Sequence, residues 1–259
     1  MAFKTKNALV AGAALLALTG CIKSFNLRQF PNNESLYTAG MQQLDQKKWD
    51  NAVKIFEKLT LELPARDTLL PGSHFHLAQA YSARGEHLLA AQSYSRLAES
   101  FATDTLADDA LYYAAREYQA LWRRPVLDPQ YGGEAVATYE MMLGLYPDTE
   151  WKDSATKQIA ILQEWFATKD YESGMHYMRR KAYDSAIIYL RDVVTKYPNT
   201  ARSRDAYLQL ARAYDAIKYK DDKADVCKTL REKYPKDPEV AATCGGVPVV
   251  SKPVSPGSQ

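Results

Sequence analysis

Apolar side chains recur at helical spacing through most of the chain. Ile55, Leu59 and Leu63 fall on one face of a 3.6-residue period, as do Ile187, Leu190 and Val194. Aromatic–proline pairs at Tyr146-Pro147, Tyr197-Pro198 and Tyr234-Pro235 close the apolar runs. Proline lacks the N–H a helix needs and pushes its predecessor out of the α region, so these pairs read as helix stops. Trp151 to Phe166 carries Ile159, Leu162 and Phe166 on one stripe with few turn signals before Asp170. This predicts one long helix running into the next segment.

A spacing repeats along the chain. A small residue is followed by Tyr three later, Ala twelve later, an aromatic or apolar residue sixteen later and Pro twenty-four later. Gly174, Tyr177, Ala186, Leu190 and Pro198 show it in full; Ala78, Tyr81, Ala90 and Tyr94 lack only the proline, Ala102 following Phe101 instead. Gly40, Ala52, Phe56 and Pro64 carry Gln43 in the Tyr place, and Ala211, Tyr214, Cys227 and Pro235 have Ala224 one place late. Between Ala115-Tyr118 and Ala135-Tyr139-Pro147 lie eight extra residues, expected to loop out from Arg123-Arg124-Pro125 to Gly132-Gly133. The pattern resembles the tetratricopeptide repeat, which implies an all-α solenoid of about five helix pairs. Small residues would sit where the paired helices cross, with Tyr or Phe filling gaps between units. The expected layout is a leader over 1–20, a tether over 21–33, the solenoid over 34–240 and a disordered tail over 241–259.

The N-terminus changes the picture. Lys4 and Lys6 precede an apolar core from Ala8 to Leu18, too short for the roughly 20 residues of a spanning helix. It reads as a cleaved secretory signal. Leu18-Thr19-Gly20-Cys21 resembles the bacterial lipobox, so Cys21 is expected to carry lipid and begin the mature chain. More than one acyl chain gives stable anchoring without a span. Ile22, in place of an Asp retention signal, points to the outer membrane.

Removing the leader takes two lysines and no acidic residue from 33 basic and 31 acidic side chains. The balanced mature chain excludes the basic footprint that nucleic acid demands. Two cysteines remain, Cys227 and Cys244. They could pair in an oxidising compartment; otherwise one is a core thiol and the other a free thiol in the tail.

No phosphate-binding glycine loop, nucleophile elbow or metalloprotease helix motif is present. His74 and His76, two apart, face different sides of a helix and form no metal pair. Asp108-Asp109 and Asp221-Asp222 suit helix starts. Neither catalysis nor a cofactor or metal is expected.

Taken together, the lipobox cysteine, short tether and five units resemble the BamD family, lipoproteins of the outer-membrane β-barrel assembly machine. Gly72 to Tyr81, Asp108 to Tyr112, Leu127-Asp128-Pro129 and Tyr197 to Thr200 carry the resemblance. It implies a periplasmic scaffold, lipid-anchored to the outer membrane. Its partners would be the barrel-forming subunit, associated lipoproteins and unfolded outer-membrane proteins. A different envelope scaffold of the same repeat, organising peptidoglycan or other machinery, is the alternative. In such solenoids the first helix of each unit lines a groove, and the small-residue register nominates Tyr37, Met41, Phe75, His76, Gln79, Tyr112, Tyr113 and Arg116. Some of these aromatics would instead pack between helices. The insertion around Arg123 and Arg124 is the second place for a client.

Overall fold

The computed structural model describes residues 25–245, so Cys21 and the C-terminal residues from 246 onward lie outside the described chain. Five antiparallel helix pairs follow one another: α1 (Asn33–Asp45) and α2 (Trp49–Glu62), α3 (Leu70–Ala83) and α4 (His87–Ser100), α5 (Ala107–Leu121) and α6 (Gln130–Leu145), α7 (Lys152–Arg179) and α8 (Tyr183–Lys196), α9 (Ala201–Ala216) and α10 (Lys220–Lys233). A short helix α11 (Pro238–Cys244) ends the array. The chain is therefore an all-α solenoid of tetratricopeptide type.

The repeat spacing fixes how each pair closes. A β-carbon added to Gly40 would lie 2.6 Å from Phe56 Cζ, and one added to Gly174 would lie 2.8 Å from Leu190 Cγ. Small residue and sixteenth-following residue thus meet at the helix crossing. Ala78 with Tyr94 and Ala115 with Tyr139 occupy the same positions and are buried. Overfilling such a crossing costs about 1–3 kcal/mol.

The turn inside a pair is equally regular. Lys47, Gly85, Lys181 and Lys218 take positive φ of 57°, 77°, 59° and 67°. The next residue's N–H then reaches back five residues, from Lys48, Glu86, Ala182 and Tyr219 to the carbonyls of Gln43, Tyr81, Tyr177 and Tyr214. This is a Schellman closure of the first helix. Three of the four positions hold lysine where glycine would be unstrained.

Between units, Tyr146, Tyr197 and Tyr234 cap α6, α8 and α10, each donating its N–H to the carbonyl four residues back. Helix α4 stops at Ser100 without a proline, because Phe101 turns to φ −134°, ψ 49°. The Asp104 carboxylate accepts the Leu106 N–H at 2.9 Å, and Tyr146 donates its hydroxyl to the Ala102 carbonyl at 2.7 Å. The aromatic and the loop contacts do the stopping there.

Three expectations need correction. The loop of the third unit spans only 122–129, and Gly132-Gly133 belong to α6. Gly132 is there because Trp122 packs against it: an added β-carbon would meet the ring at 2.0 Å. The described part of the segment expected as a tether over 21–33 is not free of the fold. Phe25, Leu27 and Phe30 pack against the first core, where Leu36, Phe56 and Leu59 are buried. Finally, the ordered chain does not end at 240. Asp237 caps α11 by accepting the Glu239 N–H at 2.9 Å, Pro238 opens the helix, and Cys244 forms a disulfide with Cys227. The expected tail start at 241 falls inside this helix.

Helix α7 is the extended helix the sequence predicts. Ala155 and Leu162 belong to a core with Trp122 and Tyr139, whereas Ala167 belongs to the next core with Ala186 and Leu190.

Candidate functional site

Where the first helices of units one to three run side by side, they leave a cleft of about 460 Å³. Leu44 and Asp45 from α1, Gln79 and Ser82 from α3, and Tyr113, Arg116 and Glu117 from α5 form its walls, with Trp49 and Tyr94 contributed by second helices. Its lining mixes aromatic rings (Trp49, Tyr94, Tyr113), aliphatic surface at Leu44 and polar groups, which suits an extended chain with an apolar side group.

The eight nominated groove residues divide. Gln79, Tyr113 and Arg116 line the cleft, with Gln79 and Arg116 exposed. The other five are absent from its walls, and each is drawn into packing. The position three before the small residue, held by Tyr37, Phe75 and Tyr112, points at the neighbouring helix in all three units, while the places two before and one after it differ from unit to unit: Tyr113, Gln79 and Arg116 reach the opening, His76 and Met41 do not. Phe75 is buried, its ring centroid 5.2 Å from Tyr94 and 6.0 Å from Tyr113. Tyr112 is buried and stacks on Trp151 at 4.1 Å and 12°. Tyr37 and His76 pack edge-on at 5.8 Å over Phe56, and Met41 sits on the first core. Burial holds the His76 imidazole below its ordinary pKa against a hydrogen bond from its Nδ1 to Gln79 Oε1 at 2.8 Å. These five residues shape the cleft from behind.

Extending the same stripe by one turn reaches three further wall residues. Leu44 and Asp45 follow Met41 by three and four, and Ser82 follows Gln79 by three. Tyr94 was visible only as a repeat residue filling the crossing.

Charge inside the cleft is unevenly committed. Glu117 accepts the Ser82 hydroxyl at 2.6 Å through one oxygen, and His87 Nδ1 lies 2.6 Å from the other. Its carboxylate is thus held by two partners. Arg116 has no ion-pair partner among the described residues; its guanidinium lies 6.0 Å from the Tyr112 ring. Burial raises the Tyr94 hydroxyl pKa well above its usual range, and burial followed by the Asp109 charge raises that of Tyr113. Both phenols are neutral donors at any physiological pH. The cleft therefore offers a free guanidinium beside neutral hydroxyls and aromatic rings.

Among the described residues no cluster of three potential ligands could hold a metal ion, and no helix is long and apolar enough to cross a membrane.

Comparison with known proteins gives one consistent result. The model of the family described as "YfiO: Outer membrane lipoprotein" matches residues 30–230. "Outer membrane protein assembly factor BamD" of Neisseria gonorrhoeae is 23% identical over 249 residues, covering 90% of this chain and 93% of the relative. The protein of the same name from Xylella fastidiosa is 29% identical over 128 residues, 46% of this chain and 43% of its own length. Among solved structures, the tetratricopeptide domain of P58(IPK) aligns at TM-score 0.44 and 13% identity, over 82% of this chain and 54% of that one.

Proposed function

Because the chain belongs to the BamD-type family of outer-membrane lipoproteins, we propose that it serves outer-membrane protein assembly as a scaffold, receiving an extended segment of an unfolded client in the N-terminal cleft. The cleft itself carries this reading: an aromatic wall of Trp49, Tyr94 and Tyr113 beside the unpaired Arg116. Aromatic side chains supply large contact area at low entropic cost, and a guanidinium grips a carboxylate with two bonds. Acylation of Cys21 holds the scaffold on the periplasmic side of the outer membrane, and the barrel-forming subunit with its associated lipoproteins is the docking partner. The work is binding and positioning, with no covalent step.

Titration of the purified mature protein with a peptide ending in an aromatic residue tests the cleft. Tyr113→Ala or Arg116→Glu should weaken binding tenfold or more, about 1.4 kcal/mol, with the melting midpoint of Arg116→Glu unchanged. Unaltered affinity in folded variants moves the client elsewhere. Co-purification of the lipidated protein tests the partner: recovery of cell-wall enzymes in place of a barrel protein would assign it to other envelope machinery.

A further inference from the structure

Only residues 22–24 separate Cys21 from Phe25, where the described chain begins. A fully extended residue spans at most ~3.6 Å, so the Cα atoms of Cys21 and Phe25 lie within about 14 Å of each other in any conformation.

Packing keeps that interval short. Asn26 Oδ1 accepts the Arg28 N–H at 3.0 Å and opens a single 3-10 turn over Leu27–Gln29. The turn brings the Phe25 and Phe30 rings to 5.8 Å, and Phe25, Leu27 and Phe30 lie on the core that holds Leu59 and Leu63 of α2. Without those contacts the free interval would be 22–32 in place of 22–24.

Helices α1 and α2 are antiparallel, so the chain enters α1 at the end of the unit where α2 finishes. Leu61 sits at that end. It falls between Leu59 and Leu63 in sequence but on the opposite side of the helix, since two residues turn it by about 200°. It is 83% exposed, the most exposed large apolar side chain among the described residues. Pro64 and Ala65 in the turn that follows are exposed too, and the same end carries the exposed Arg28 and Arg66. Its carboxylates have partners or favourable positions. Glu62 is paired with Lys58, Asp67 accepts the Leu69 N–H at 2.9 Å, and Glu34 lies in the first turn of α1, where the helix dipole favours it.

An exposed leucine is ordinary by itself; the short interval to Cys21 is what gives this one a neighbour. We propose that this end of unit one is a membrane-contact surface, held on the phospholipid bilayer by the packed Phe25–Phe30 segment. Leu61 enters the boundary between headgroups and acyl chains, and Arg28 and Arg66 reach lipid phosphates. Guanidinium forks match phosphate oxygens, and apolar side chains at that depth add to a lipid anchor. The solenoid is then seated by one end, with unit five the far one, instead of swinging about its lipid. The inference rests on the acylation of Cys21 given above.

Fluorescence quenching tests it on the acylated mature protein, reconstituted in vesicles of phosphatidylethanolamine and phosphatidylglycerol. A dye is attached at A65C or, in unit five, at Y219C, under non-reducing conditions that keep Cys227–Cys244 closed. Lipids brominated on their acyl chains should at least halve the emission at 65 and leave that at 219 unchanged. L61E should reduce the quenching at 65 at least twofold. So should F25S/F30S, which frees the turn and lengthens the tether, while the protein stays on the vesicles and keeps the wild-type helical circular dichroism. Vesicle-bound protein with no quenching at 65, or with equal quenching at 65 and 219, overturns the contact surface and leaves the acylation reading intact. Quenching that persists unchanged in both L61E and F25S/F30S also overturns it. Failure of the mature protein to stay with the vesicles overturns both readings.

Discussion

In unit three, Arg116 is left exposed and unpaired on the cleft, whereas in unit five the first helix commits Arg204 and Arg212 to the end of the array. Arg204 donates to Asp237 at 2.7 Å and to Glu239 at 2.9 Å, and Arg212 reaches Glu239 at 2.9 Å. The crossing differs in the same sense. Phe56, Tyr94, Tyr139 and Leu190 fill it in units one to four, but unit five has Cys227, joined covalently to Cys244 of α11. A terminal unit has no following neighbour to cover its apolar face. Here α11 does so, with Val240 packed on Leu208 and Leu230. One repeat thus serves two ends: its polar residues are free where something is to be bound and mutually satisfied where the array must stop.

The comparison breaks most visibly at Tyr112 and Tyr113, adjacent residues with different roles. Tyr112→Ala should cost about 3–5 kcal/mol, as deletion of a buried aromatic usually does, while Tyr113→Ala should cost less than half as much and act on peptide affinity. Chemical denaturation of both variants measures it; equal losses would mean that Tyr113 too is core.

Next in size is the disulfide. Closing a loop of this length stabilises by about 3 kcal/mol in the chain-entropy account. Reduction, or Cys244→Ser, should lower the denaturation midpoint accordingly and loosen α11, seen as faster amide exchange there. Peptide affinity should stay within twofold. A large loss of affinity on reduction would show that the two ends are not separable.

How much of this was legible in the sequence depends on whether a residue obeys the repeat. Gly40 against Phe56 and Gly174 against Leu190 were readable from spacing alone, because the crossing geometry leaves one solution. Trp122 was not, since the insertion after α5 breaks the register. Nor could spacing tell Tyr112 from Tyr113: both are Tyr, and only the stacking of Trp151, far away in sequence, buries one of them. Asp237-Pro238-Glu239 did carry a helix-start signal, a cap residue followed by proline at the first helical position. The proline- and serine-rich residues that follow mask it.

A pH effect sharpens the comparison further. His74 in α3 is buried beside Phe101, and burial, helped by the charge of Arg96, lowers its pKa to about 4. A base with a depressed folded pKa stabilises the protein above its unfolded pKa and loses that contribution as pH falls from about 6.5 towards the folded value. Acidifying from pH 7 to 5 should therefore cost the N-terminal units on the order of 1–2 kcal/mol. Hydrogen bonds from Arg212 and Arg204 depress the Glu239 pKa, so its contribution persists until the pH falls below the ordinary carboxylate range. Amide exchange at pH 5 should open α3 before α11; the reverse order would count against this assignment of His74.

The smallest expected effect is at the turns. Lysine at positive φ is strained relative to glycine, but glycine also gains freedom when unfolded. Lys47→Gly and Lys218→Gly should each stabilise by about 0.5 kcal/mol, and Gly85→Lys should destabilise by a similar amount. Paired melts of the three variants decide it, and a destabilising Lys47→Gly would mean that the lysine side chain contributes more than its backbone costs.

Helix α7 has a mechanical consequence. Its 28 residues form one rod of about 42 Å, uninterrupted by proline, with one half set in the core behind the cleft and the other in the core of unit four. Tilting one end of the solenoid against the other must bend that rod, because no hinge lies between the two seatings.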